Sequence, residues 1–351
     1  MTYITKPRVE HPGLEKNSSG LTRRDYEGAM STLCAGCGHD SITAAIVEAF
    51  FQMAIPPERV AKLSGIGCSG KTPTYFLGQS HGFNGVHGRM PAVATGVGAA
   101  NRELTLIGIS GDGDSLSIGL GQLCHAIRRN VDMLYVIENN GVYGLTKGQF
   151  SASADVGSKS KRGEPNRQPP IDPVYLALTL GATFVARSFS GDKAQLVPIL
   201  KAAVAHRGFA LVDIVSPCVT FNDHEASTKS YRHTREQNTP VVIADFVPIT
   251  EEITASYQEG TARNVAMHDG SVVRFRKVNE DYDPSDRDAV YAYLKERQAV
   301  GELATGLLFI EADAADMHEV LNTVERPLHD LPFDQLCPGS EKLEEIQARF
   351  R

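Results

Sequence analysis

The chain has 351 residues, 42% of them hydrophobic, and a formal net charge of −7. That length gives a prior of roughly two domains, the apolar content supports a large core, and the mild acidity, without a basic arm or acidic tail, argues against nucleic acid as the main partner. The opening MTYITKPRVEHPGLEKNSSG is charged and proline-broken, unlike a signal peptide, and no run reaches the roughly 20 apolar residues of a membrane helix.

A cytoplasmic chain with no membrane partner is therefore expected. Thiols stay reduced in that compartment, so clustered cysteines point to metal or redox chemistry rather than to disulfides.

Residues 1–28 read as an irregular arm punctuated by Pro7, Pro12 and Gly20. An α/β pattern follows. DSITAAIVEAFFQMAI (40–55) predicts a helix with Asp40 or Ser41 as its N-cap. RVAKLSGIG (59–67) predicts a strand entering a glycine-rich loop, and GRMPAVATGVGAANR a helix of small residues. LTLIGIS (104–110) is a continuous apolar run suited to a strand buried on both faces. A helix over 115–129 and a buried strand MLYVIEN come next.

The polar stretch 150–170 reads as a long loop. Beyond it DPVYLALTLG, TFVARS, DKAQLVPILKAAVAH and FALVDIV alternate helix and strand. Such alternation implies a doubly wound, mostly parallel sheet. From about residue 217 the pattern loosens into a mixed tail, with a helix near 285–299, a strand GLLFIEA and terminal helices. The expected division is an arm (1–28), an α/β domain (29–235) and an irregular mixed C-terminal extension (236–351).

Six cysteines stand at 34, 37, 68, 124, 218 and 337. Cys124 shares a helical face with Leu116, Leu120, Leu123 and Ile127, which is the pattern of a core side chain. Cys337 has no company. Cys34 and Cys37 lie in a loop before a helix, and Cys68 and Cys218 each follow a predicted strand. Ligands gather outside the carboxyl ends of strands in open α/β sheets, so these four thiols could meet at one edge. On the cysteines alone, structural zinc and an iron–sulfur cluster both fit.

The strand LTLIGIS runs into Gly111-Asp112-Gly113-Asp114-Ser115 and a helix, and MLYVIE runs into Asn139-Asn140 and NGVYG. Glycines let a backbone approach phosphate, and a helix N-terminus offers unpaired amides. Asp112 and Asn140 supply hard oxygen ligands suited to Mg²⁺. The 25 residues between GDG and NN span one helix and one strand, so both loops end at the same sheet edge.

This spacing resembles the thiamine diphosphate signature, in which the Asp, the final Asn and a carbonyl two residues on, here that of Val142, bind Mg²⁺. The ordered set CAGCGH, GIGCSG, HGRMPAVATG, GDGDSLSIG, NNGVYGLTKGQ and SPCVTFN resembles the β subunit of 2-oxoacid:ferredoxin oxidoreductases over residues 30 to about 235. The resemblance implies a thiamine-diphosphate-binding α/β domain and makes Cys34, Cys37, Cys68 and Cys218 the ligands of a [4Fe–4S] cluster. Relatives often read WCPGCG where this chain has Leu33 and Ala35, a change that touches no thiolate.

The implied reaction is oxidative decarboxylation of a 2-oxoacid to acyl-CoA and CO₂, or its reversal. Electrons would pass through the cluster to ferredoxin, a step that redox-inert zinc cannot serve. Gly144, Leu145 and Thr146 join Gly111, Gly113 and Asp114 among the implied cofactor contacts, and His87 tilts toward the cofactor. Lys147, where pyruvate-type relatives tend to have Gly, would pair with the distal carboxylate of 2-oxoglutarate. Lys71 ranks below it for that role.

The pyrimidine-side glutamate comes in this family from a separate α subunit, so the chain is expected to work as an αβ unit, doubled to α₂β₂. The competing readings are a pyruvate-preferring relative, a thiamine-dependent decarboxylase or synthase without a cluster, and a zinc-stabilised regulatory subunit.

Overall fold

The apolar runs of the sequence become the strands of one sheet in a computed structural model that describes residues 11–158, 164–216, 218–219, 253–266, 272–279 and 282–351. Helix α1 (Gly38–Met53) precedes β1 (Val60–Ser64), β2 (His81–Asn84), α2 (Met90–Ala100), β3 (Thr105–Gly111), α3 (Leu120–Arg128) and β4 (Met133–Asn139). A short ribbon of β5 (Val142–Tyr143) and β6 (Gln149–Phe150) leads to α4 (Pro173–Thr179), β7 (Phe184–Phe189), α5 (Lys193–Ala205) and β8 (Phe209–Val215). Then come β9 (Ala262–Ala266), β10 (Val272–Lys277), α6 (Arg287–Ala299), β11 (Leu303–Ile310), α7 (Met317–Leu321), α8 (Phe333–Leu336) and α9 (Gly339–Ala348). Among the described residues no helix is long and apolar enough to cross a membrane.

The main sheet runs β2-β1-β3-β4-β8-β7-β11-β10-β9. Its first six strands are all parallel. β11 is antiparallel to β7 and parallel to β10, and β9 is antiparallel to β10. The mostly parallel, doubly wound sheet expected from the alternation is present, and its mixed part comes from the C-terminal segment. The expected boundary near residue 235 lies outside the described residues.

Period-two alternation sorts the strands' side chains between two cores. On β4, Met133, Tyr135 and Ile137 pack with α2, α3, α4 and α6. Leu134 and Val136 face the other way, toward α1 and α5. The N-terminal arm belongs to that second core. Tyr26 is fully buried, stacks edge-on to Phe51 at 5.9 Å, and accepts a hydrogen bond from Asn17 Nδ2 at 2.8 Å.

Two elements depart from expectation. α1 starts at Gly38 with Cys37 as its N-cap, not at Asp40 or Ser41. Gly36 at φ 76° turns the chain there, and the Cys37 amide bonds the Cys34 carbonyl at 3.1 Å. The helix expected over 115–129 is split into one π-helical turn (Asp114–Ile118) and α3. A π turn adds a residue to the winding and shifts the helical phase. Leu116, Leu123 and Ile127 stay in the core, while Cys124 is only half-buried at its flank.

A charge sits deep between the strands. Arg187 on β7 donates to Asp213 Oδ2 at 2.7 Å and to Asp172 Oδ1 at 2.5 Å. Asp172 also caps α4, accepting from the Val174 amide at 2.8 Å. Burial raises the Asp213 carboxyl and the Arg187 charge opposes that shift. Removing one partner of such a pair strands the other and costs about 3–5 kcal/mol. Arg187→Met is expected to lower unfolding stability by that amount in denaturant titration, more than a surface Arg→Met change.

Candidate functional site

Because β1, β3, β4 and β8 are parallel neighbours, their carboxyl ends share one edge. The Cys68 loop follows β1, Asp112 follows β3, Asn140 follows β4, and Cys218 stands just past β8. Four separate stretches of sequence thus converge as the strand-end rule for open α/β sheets requires.

Asp112 is the most heavily bonded side chain of this edge and is 1% exposed. Its Oδ2 accepts from the Gly141 amide at 3.1 Å, from Ser153 Oγ at 2.5 Å and from Ser151 Oγ. Among the described residues its Oδ1 receives only the long 3.4 Å contact from the Asn140 amide. One carboxylate oxygen is therefore tied down while the other keeps capacity for a cation. Asn140 Oδ1 accepts from the Val142 amide at 3.1 Å, an Asx turn that sets the loop after β4. A hard divalent ion sharing its ligand shell with a phosphate suits this donor set.

Asp114 has both oxygens engaged within the protein. It accepts from the Gly88 amide at 2.7 Å and from Ser110 Oγ at 3.0 Å, so it fastens the His87 loop to the end of β3. Gly88 lies at φ +71°, and a Cβ there would stand 2.8 Å from Gly119 Cα. His87, next to it, is exposed at the rim. Gly111 and Gly113 follow the strand into this edge, and the Tyr143 hydroxyl donates to the Gly113 carbonyl at 2.8 Å.

All six cysteines are thiols. Burial raises the Cys37 thiol, and nearby Cys218 and Glu138 raise it further. Burial likewise raises Cys68, which Lys71 lowers and Cys34 and Glu138 raise. Cys37 thus lies within electrostatic reach of Cys218, and Cys68 within reach of Cys34. A Cβ on Gly144 would stand 3.5 Å from Cys68 Sγ and 3.7 Å from Cys218 Sγ. The residue after β5 is thus part of the wall of the thiol pocket. Among the described residues no three His, Cys, Asp or Glu side chains are disposed to hold a single metal ion.

The β5–β6 ribbon carries the remaining expected residues. Thr146 Oγ1 donates to Gln149 Oε1 at 2.5 Å, and Leu145, Thr146 and Lys147 are all exposed. Lys147 adopts φ +79°, a left-handed conformation unusual for a side chain of its kind. Its amide closes the turn on the Gly144 carbonyl at 3.1 Å.

Sequence reasoning missed two pairs. Ser151 and Ser153 lie in the polar stretch read only as a loop, and nothing in their composition points to Asp112. His39 and Glu138 form a buried contact, His39 Nδ1 standing 3.7 Å from Glu138 Oε2. Glu138 does carry a signal, as the one charged residue in the apolar run MLYVIEN. Burial lowers His39 to about 4 and raises the Glu138 carboxyl well above its ordinary range, so it disfavours the charged form of both groups.

This gives a pH-dependent outcome. A carboxyl raised in the folded state contributes stability below its unfolded value of about 4.3, and that contribution is lost as pH rises toward the folded value. Glu138→Gln removes this loss. In urea unfolding of the metal-free chain, its gain over wild type is expected to be small at about pH 5 and larger at about pH 8.

Residues 65–214 match the family model described as thiamine pyrophosphate enzyme, C-terminal TPP binding domain. The chain is 43% identical over 199 residues to a 2-oxoacid:ferredoxin oxidoreductase subunit beta of Saccharolobus solfataricus, covering 56% of this chain and 65% of that one. It is 42% identical over 222 residues to the 2-oxoglutarate oxidoreductase subunit KorB of Mycobacterium tuberculosis, covering 63% of this chain and 59% of that one. It thus spans less than two thirds of either relative. A 2-oxoglutarate synthase subunit KorB of Methanocaldococcus jannaschii is 34% identical over 189 residues, 54% of this chain and 69% of its own length. A solved 2-oxoglutarate:ferredoxin oxidoreductase from Magnetococcus marinus, with 2-oxoglutarate, coenzyme A and succinyl-CoA bound, superposes with a TM-score of 0.69 at 31% identity, covering 89% of this chain and 90% of that one. Matching these relatives over most of their length, the chain belongs to the β-subunit family of the 2-oxoacid:ferredoxin oxidoreductases.

Proposed function

We propose that the chain is the cofactor-bearing half of a cytoplasmic, CoA-acylating 2-oxoacid:ferredoxin oxidoreductase that acts on 2-oxoglutarate. The observation that carries this reading is the sharing of one sheet edge by the Asp112 loop and the four-thiol pocket, with Gly144 against the Cys68 and Cys218 sulfurs. A decarboxylation that releases two electrons needs an acceptor close to the carbon chemistry.

Bound thiamine diphosphate would supply the carbanion-stabilising chemistry. The protein's part is binding and orientation. Asp112 Oδ1, Asn140 Oδ1 and the Val142 carbonyl would hold Mg²⁺, with Ser151, Ser153 and the Gly141 amide fixing the Asp112 carboxylate. Cys34, Cys37, Cys68 and Cys218 would hold a [4Fe–4S] cluster. Ligation needs thiolates, so loading must displace the protons that burial holds on Cys37 and Cys68.

A partner completes the unit. Six large apolar side chains, Met30, Phe83, Val86, Ile118, Leu145 and Val156, are exposed on segments around this edge, Val86 the most at 72%. An apolar rim about a polar site is what a protein interface uses. The occupant proposed is an α-type subunit that brings the pyrimidine-side glutamate, doubled to α₂β₂. Ferredoxin takes the electrons and coenzyme A the acyl group.

Lys147 is the proposed substrate selector. Left-handed backbone at a residue other than glycine costs about 1–3 kcal/mol and persists where function requires it. An exposed lysine at the tip of the ribbon that follows the Asn140 loop suits a second substrate carboxylate. Lys147→Gly is expected to raise stability by about 1 kcal/mol. It is expected to cut kcat/KM for 2-oxoglutarate by roughly 10–100-fold, the worth of a charge-assisted bond. An unchanged ratio of 2-oxoglutarate to pyruvate turnover would refute the selector role.

The whole reading is tested by co-expressing the chain with an α-type subunit and assaying CoA-dependent viologen reduction with several 2-oxoacids. Activity is expected, greatest with 2-oxoglutarate. Inactivity with every oxoacid, despite bound thiamine diphosphate and a full complement of iron and sulfide, would overturn it.

A further inference from the structure

We propose that His39 and Glu138 are positioning residues for the four-thiol site, packing its three thiol-bearing segments against the centre of the sheet as one buried polar cluster. The inference rests on reading those thiols as cluster ligands. Ser216 Oγ lies 2.7 Å from His39 Nδ1. His39 Nδ1 stands 3.7 Å from Glu138 Oε2, which accepts from Thr72 Oγ1 at 2.9 Å. None of the four residues is more than 1% exposed.

Their places in the chain give the contacts a purpose. His39 is two residues past Cys37, Ser216 two before Cys218, and Thr72 four past Cys68. The Cys37 and Cys218 segments are thus bonded to each other through His39 and Ser216, the Cys68 segment is bonded to Glu138 through Thr72, and the two pairs pack together at 3.7 Å. Glu138 is the fixed post, because β4 is paired on both sides and the register sets Glu138 between Gly111 and Ile214. Without such a post, loops that arrive from two strand ends and one helix N-terminus have no common reference, and the spacing of their sulfurs is free to vary.

Stability alone does not account for Glu138. Its Oε1 has no hydrogen-bond partner among the described residues. A buried carboxyl left half-satisfied is a poor choice for a strand whose neighbours are apolar. Preorganisation of a ligand set by a buried supporting shell is the role such groups take at metal sites.

The test uses the full chain co-expressed with its α-type partner and purified without oxygen. It measures iron and acid-labile sulfide per chain, the EPR spectrum and midpoint potential of the reduced cluster, and thiamine diphosphate binding. Glu138→Ala and Thr72→Val are expected to carry at least twofold less iron, or to hold a cluster with an altered EPR signal and shifted potential. Glu138→Gln, which keeps the shape and the hydrogen-bonding atoms, is expected to match wild type. Thiamine diphosphate binding is expected to persist in all three.

Full loading with a wild-type spectrum and potential in both disrupting variants would overturn the inference. So would a Gln variant as defective as the Ala variant, or loss of thiamine diphosphate binding together with the cluster in every variant, which would make the network a general element of the fold. Wild-type chain lacking iron and sulfide would instead sink the cluster reading, and the inference with it.

Discussion

A guanidinium buried in the sheet cannot be left without counter-charge, and the way Arg187 is neutralised organises the site above it. Its two carboxylates are Asp172 and Asp213. The second accepts from Asn139 Nδ2 at 3.0 Å, Asn139 Oδ1 lies 2.9 Å from Ser153 Oγ, and Ser153 donates to Asp112. A continuous polar chain thus runs from the cap of α4 through the strands to the carboxylate best placed for a cation. Burial makes each link costly to break, and that stiffness holds the Asp112 loop in one arrangement.

The end of β4 divides the labour among three consecutive residues. Side chains alternate across a strand, so Glu138 points with Leu134 and Val136 toward α1, where Cys37 and His39 lie. Asn139 points the other way, toward Arg187 and Asp172. Asn140, just past the strand, turns the loop beside Asp112. One rigid strand therefore indexes the thiol pocket and the Asp112 pocket to each other. In the proposed reading, electrons would pass between groups held in the two pockets, and a strand paired on both sides would keep their separation fixed.

The two pockets differ in polarity in a way that matches their proposed contents. The Asp112 pocket is lined by hydroxyls and amides that favour an oxygen-bound cation and phosphate. In the thiol pocket burial opposes negative charge, holding Cys37, Cys68 and Glu138 toward their protonated forms. A cluster that brings its own positive irons relieves that opposition. The exposed apolar rim and the strained Lys147 turn belong to the outer layer, where a partner and a substrate would meet the chain.

By itself the sequence determined the alternation of elements, the buried strands, the GDG and NN turns at their ends, and the four cysteines that stand beside strand or helix ends. These features are local: an apolar run, a glycine or a thiol declares itself by type and spacing. What only the tertiary structure decided is how residues far apart in the chain meet. Ser151 and Ser153 in a polar loop close on Asp112, Ser216 closes on His39, and Arg187 finds Asp172 and Asp213, all through contacts that no window of sequence contains. The cap of α1 moved to Cys37 for the same kind of reason, because the turn at Gly36 sets where the helix begins. Residue type fixed the chemistry available to the chain; the parallel register of β1, β3, β4 and β8 decided which groups share an edge, since strand ends meet only once the sheet has formed.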